Sequence, residues 1–143
     1  MSRMMQVCGA LFVLMAVPGL AAAQSPLPSD SSEAVVVYQG SFSGVAGHEA
    51  GGSYAIIKRD GHWVIRMNED FTSEKVPDGW VALSDWPEAL DSKSQKFSRL
   101  IQREGEQEYV LPEGIDPGDF KYLLVWCQRF SVGVAQGRIQ PAG

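Results

Sequence analysis

Apolar and polar positions alternate along most of this chain in short runs rather than in helical stripes. Ala34–Tyr38 is apolar and β-branched. Ser53–Arg59 (SYAIIKR) and His62–Met67 (HWVIRM) flank Asp60-Gly61, the dipeptide that suits a type I′ hairpin turn because both positions accept positive φ. Trp80–Ser84 (WVALS) follows the turn sequence Pro77-Asp78-Gly79. Phe97–Gln102 and Gln107–Leu111 flank a further turn around Gly105. Phe120–Cys127 (FKYLLVWC) is apolar on both parities apart from Lys121, the pattern of a central strand buried on both faces. Phe130–Ile139 completes the set, and its glycines predict a bulge or a close approach of backbones. Glu88–Leu100 has room for one helical turn, but Ala89, Leu90, Phe97 and Leu100 keep poor 3.6-residue periodicity. The expected fold is all-β: an antiparallel sandwich or open barrel of about eight short strands.

The N-terminus follows a different pattern. Arg3 precedes an apolar run from Val7 to Val17, Pro18-Gly19 ends it, and Ala21, Ala22 and Ala23 supply small residues. This is the pattern of a secretory signal peptide over residues 1–23, with cleavage expected between Ala23 and Gln24. The run is shorter than the ~20 residues of a membrane span, and no later segment is long and apolar enough for one. Residues 24–33, rich in Pro and Ser, read as a flexible lead-in. The β domain is expected over 34–139, and Gln140–Gly143 as a frayed end. The expected location is therefore the periplasm or the extracellular space.

Processing alters the chemistry on offer. The full chain of 143 residues carries 12 Lys+Arg, 17 Asp+Glu and two cysteines. Loss of residues 1–23 removes Arg3 and Cys8, leaving 120 residues, a net charge of -6 and Cys127 as the one cysteine. No internal disulfide is then possible in a compartment where one would be expected. The acidic balance argues against nucleic acid and anionic membrane surfaces as partners.

Cys127 ends the most apolar run, in Val125-Trp126-Cys127. An unpaired thiol there is either a small hydrophobe in the core or a redox group exposed to an oxidising milieu. Other sites lack their residues. A blue-copper centre needs two His, a Cys and an axial Met close together, whereas His48 and His62 lie far upstream of Cys127 and no Met follows it. No paired CxxC, HxxxH or CxxCH is present for structural zinc or haem c. Met67 or a histidine remains as a single candidate for non-covalent haem. Gly40-Ser41-Phe42-Ser43-Gly44 resembles a nucleophile elbow but has Phe at its centre. Glu104, Glu106 and Glu108 read as a solvated face, and Asp116 and Asp119 match no calcium loop. Trp63, Trp80 and Trp86 read as core aromatics before they read as a sugar platform. No residue is assigned to a metal or cofactor, and the cofactor, if any, is unknown.

Several of these pieces, taken in order, resemble one family. Tyr38-Gln39-Gly40-Ser41-Phe42, His48, Gly52 with Tyr54–Ile57, Phe71, Pro77-Asp78, Val81–Ser84, Gln107–Pro112, Tyr122, Val125-Trp126-Cys127, Phe130, Val132 and Ala135 are similar to the electron-transfer DM-thirteen domain over residues 36–139. One departure is that Val76 and Gly79 flank Pro77-Asp78, where the family has Gly before and an apolar residue after. The resemblance implies a β-rich extracytoplasmic module, often found beside haem-binding DOMON domains, whose cysteine, here Cys127, acts in redox chemistry. The expected function is thus a redox or electron-transfer accessory domain rather than a stand-alone enzyme, acting on a redox or surface protein partner. The alternative is a non-catalytic β-sandwich module that binds a protein or polysaccharide. His48, Asp78 and Cys127 meeting in one pocket would blur the two.

Overall fold

The computed structural model describes residues 33–143. The signal peptide and nearly all of the lead-in expected from the sequence lie outside the described residues. The strands are β1 (Val35–Gly44), β2 (Ala50–Gly51), β3 (Ser53–Arg59), β4 (His62–Met67), β5 (Thr72–Ser73), β6 (Gly79–Ser84), β7 (Gln95–Arg99), β8 (Gln107–Val110), β9 (Tyr122–Cys127), β10 (Val132–Arg138) and β11 (Gln140–Pro141). Eight of them run antiparallel in the order β7-β6-β9-β10-β1-β3-β4-β8, and the sheet curls until it is nearly closed into a barrel. The antiparallel, nearly all-β architecture expected from the pattern is the one observed, in its open-barrel form.

Local chemistry explains the elements. The β3–β4 hairpin turns at Asp60 and Gly61 with φ of 51° and 78°, the left-handed pair a type I′ turn requires. β9 lies between β6 and β10, and every residue from Leu123 to Cys127 is buried. Its odd positions Leu123, Val125 and Cys127 join Val81, Leu83, Tyr54, Ile56, Ile65 and Phe71 inside the barrel. The glycines of β10 do what glycines in a strand foretell. The register slips between Gly133 and Ala135, and Gly137 lets the Tyr54 ring approach its backbone.

Glu88–Leu100 holds no helical turn, in keeping with its poor 3.6-residue periodicity. Asp91 instead binds the backbone N–H groups of Lys93 and Ser94 through its carboxylate, and buried Ser84 donates to the Ala89 carbonyl, so side chains satisfy the loop before β7 begins. The helical element among the described residues is a 3₁₀ turn, Pro117–Asp119, capped by Asp116, whose carboxylate accepts from the Gly118 N–H at 2.8 Å. Gln140–Pro141 is not frayed but pairs with Tyr38 and Gln39 of β1. Of the three tryptophans expected in the core, Trp86 is 57% exposed, half-buried Trp80 lies beneath the cation of Lys96, and half-buried Trp63 packs against the core with Lys58 over its outer face.

The seam between edge strands β7 and β8 is closed by side chains. Tyr109 Oη accepts the Ile101 N–H at 2.9 Å, and the Gln107 amide donates to the Gln102 carbonyl at 3.0 Å and accepts the Gln102 N–H. Phe97 meets the Tyr109 ring edge-on with centroids 6.4 Å apart. Glu108, expected on a solvated face, is instead half-buried between Arg59 and Arg66.

Candidate functional site

One end of the barrel gathers residues that are far apart in the chain. Cys127 is the last residue of β9 and pairs with Gly79 of β6 and Val132 of β10. The Gln128 N–H donates to the Asp78 carbonyl at 3.0 Å, which holds the Pro77-Asp78-Gly79 turn beside the cysteine. Asp78 has φ of 66°, so the turn is left-handed at that residue. The segment after β1 folds back onto the same end. Ala46 and Gly47 take positive φ, and the His48 N–H donates to the Val45 carbonyl at 3.0 Å. Gly44 permits this fold-back, because a Cβ there would lie 1.8 Å from the His48 carbonyl oxygen.

The two-stranded β2–β5 sheet then brings Glu74 to His48. Ala50 pairs with Ser73, and the Glu74 N–H donates to the Glu49 carbonyl at 3.0 Å. His48 Nδ1 lies 3.0 Å from Glu74 Oε2, and Glu74 Oε1 accepts the Glu49 N–H at 2.7 Å. The His48 contact, reinforced by that N–H, holds the Glu74 carboxyl below the ordinary glutamate range.

His48, Lys75, Val76 and Phe130 line a cavity of about 140 Å³ with Cys127, floored by the valines of β10. Cys127 is 2% exposed, whereas Phe130, at the tip of the β9–β10 hairpin, is 66% exposed. The thiol therefore belongs both to the barrel interior and to a small polar-edged hollow. Two larger clefts, of about 350 and 630 Å³, lie elsewhere and contain no thiol.

The structure thus unites His48 with Cys127 and leaves the other candidates apart. Asp78 adjoins through its backbone only, since its carboxylate accepts from Trp80 Nε1 at 3.0 Å and pairs with Arg99. His62 sits exposed at the far hairpin, and Met67 is wholly buried inside the barrel. Phe42, the centre of the elbow-like segment, is a core residue of β1.

A family model described as Electron transfer DM13 matches residues 41–137, about two thirds of the chain. The chain belongs to the electron transfer DM13 family. Membership assigns this DM-thirteen domain a general redox or electron-transfer role. The matched stretch contains His48, Glu74 and Cys127. No curated protein and no solved structure matches the chain at a significant level.

The residues that sequence reading missed are Glu74 and Lys75. Both are ordinary charged residues in a polar stretch, and only the pairing of β2 with β5 places them at the cysteine. Phe130 was visible as part of the motif but not as a cavity wall.

Proposed function

We propose that this DM-thirteen domain is an extracytoplasmic redox accessory domain and that the Cys127 thiol is the group that changes oxidation state. The observation that carries this reading is that Cys127, though buried, lines a cavity shared with His48 and Lys75. A single thiol cannot form an internal dithiol couple. It can pass through a sulfenic acid or a mixed disulfide and so needs an external thiol partner to reset it. The signal-peptide pattern of residues 1–23 supports a periplasmic or extracellular site of action with a protein redox partner. Among the described residues no helix is long and apolar enough to cross a membrane.

The test is thiol titration of the native mature protein together with its absorbance spectrum. One equivalent of thiol reacting in the native state, lost in Cys127→Ser with the fold intact, supports the reading. A Soret or charge-transfer band would assign the redox role to a bound cofactor. A thiol that reacts only after unfolding, in a colourless protein, would favour a second reading. In that reading the domain is a binding module whose exposed Trp86 and Phe130 contact a partner, while Cys127, 2% exposed, merely packs.

A further inference from the structure

We propose that His48, held by Glu74, is the proton acceptor for the Cys127 thiol, and that the cavity they share takes a small oxidant of the hydroperoxide class. The inference rests on the redox reading of Cys127 and adds to it a positioning pair and a substrate class. Three observations converge on it.

First, the His48 ring is fixed. Nδ1 faces a carboxylate at 3.0 Å, and that carboxylate is itself fixed by the Glu49 N–H at 2.7 Å. A ring that donates from Nδ1 to a carboxylate presents Nε2 as its basic nitrogen. Second, His48 and Cys127 wall the same cavity of about 140 Å³. Third, the remaining charges suit a thiolate. Lys75 is the cation that also lines the cavity. The Glu74 carboxylate is taken up by His48 Nδ1 and the Glu49 N–H, and the Glu49 side chain is exposed. The Asp78 carboxylate is turned to Trp80 and Arg99, and the Arg129 guanidinium lies 5.9 Å from the Phe130 ring centre.

Size selects the oxidant. A sulfur 2% exposed, lining a hollow of about 140 Å³ with Phe130, is reached more readily by a small molecule than by a disulfide carried on another protein's surface. Hydrogen peroxide or a small alkyl hydroperoxide fits the hollow as it stands. In the step, the thiol proton passes to His48 Nε2 and the thiolate sulfur attacks the terminal oxygen of ROOH. The S–O bond forms as O–O breaks, sulfur is oxidised by two electrons to the sulfenic acid, and the peroxide is reduced. The departing alkoxide takes the proton from the His48 imidazolium and leaves as ROH.

The test is the rate of sulfenic acid formation with hydrogen peroxide, trapped with dimedone and read by mass spectrometry from pH 5.5 to 9.5. Wild type, His48→Asn and Glu74→Gln are compared, with Cys127→Ser as the blank and circular dichroism as the check on folding. His48→Asn keeps an amide donor for Glu74 and removes the base. An ordinary thiol is only about 1% ionised at pH 6.5, so His48→Asn should slow the reaction by up to ~100-fold there. The gap should close toward pH 9.5, where an ordinary thiol ionises without a base. Glu74→Gln should fall between. A loss that is the same at every pH, or no loss in a folded His48→Asn, overturns the dyad. A wild type that reacts with a small disulfide reagent but not with peroxide overturns the oxidant class. A native thiol inert to every reagent overturns the redox reading itself, and the inference with it.

Discussion

Replacing Gly137 by Ala tests the packing that shapes the barrel interior. Tyr54 reaches from β3 across β1 at Gly40 and donates its hydroxyl to the Gly137 carbonyl at 3.1 Å. A Cβ on residue 137 would lie 2.5 Å from Tyr54 Cε1 and 3.0 Å from the Ser41 carbonyl oxygen. That is about 1 Å inside ordinary carbon–carbon contact, which begins near 3.5 Å. Tyr54 is 1% exposed and cannot swing into solvent, so the overlap must be relieved by displaced strands. Over-packing of this kind costs about 1–3 kcal/mol, and a clash with both ring and backbone belongs at the upper end, about 3 kcal/mol. Tyr54→Leu alone should cost a further ~2–5 kcal/mol for the lost ring. The double variant should cost less than the sum by about 2 kcal/mol, because the ring that clashes is gone. Tyr54→Phe keeps the clashing edge and should add to Gly137→Ala without rescue. Urea unfolding followed by far-ultraviolet circular dichroism gives the cycle. A Gly137→Ala cost below 1 kcal/mol, or additivity of Gly137→Ala with Tyr54→Leu, would refute the reasoning.

Three other outcomes are expected. Glu108→Gln should lower stability at pH 7 by about 1–2 kcal/mol, since Glu108, about one-third exposed, bonds both Arg59 and Arg66. Those partners depress the Glu108 carboxyl in the fold, so its contribution is present above the ordinary glutamate range and lost as pH falls through the lower folded value. Urea midpoints for the two proteins should therefore converge in acid, and a gap that persists there would count against the ion pairs. Gly61→Ala should cost about 1 kcal/mol by thermal melting, because φ is 78° while the space around the new Cβ is open. An unchanged melting temperature would mean the turn is not held in that form. Phe130→Ser should leave stability within about 0.5 kcal/mol, since the ring is 66% exposed. It should nevertheless speed native labelling of Cys127 by small maleimides, and an unchanged labelling rate would show that Phe130 does not guard the cavity.

Much of the fold was legible because its signals are local. Asp60-Gly61 names its own turn, and the run from Leu123 to Cys127 announces a strand covered on both faces. The glycines of β10 forecast a bulge or a close approach, and the fold has one of each, at Gly133 and at Gly137. The closure of the barrel was not legible, for it depends on Gln102, Gln107 and Tyr109 exchanging hydrogen bonds across a seam that no periodicity marks. The loop before β7 is held by side chains too: Asp91 and Ser84 supply bonds that compete with a helical turn. Trp63 and Trp80 are only half-buried because a large ring can be shielded by the stems and heads of Lys58, Lys96 and Arg99 as well as by a core.

The candidate site divides in the same way. Cys127 was visible as the last residue of the most apolar run, but His48 lies 79 positions before it and joins it only through the fold-back at Gly44 and the β2–β5 pairing. That convergence bears on the choice between packing and chemistry. Leu123, Val125 and Cys127 occupy successive inward positions of one strand, and the first two are fully enclosed. The third, also buried, lines a hollow of about 140 Å³. It places a polarisable, oxidisable sulfur where an imidazole braced by a carboxylate shares its space. Membership in an electron-transfer family favours the chemical reading over the packing one, and the reactivity of the native thiol decides between them.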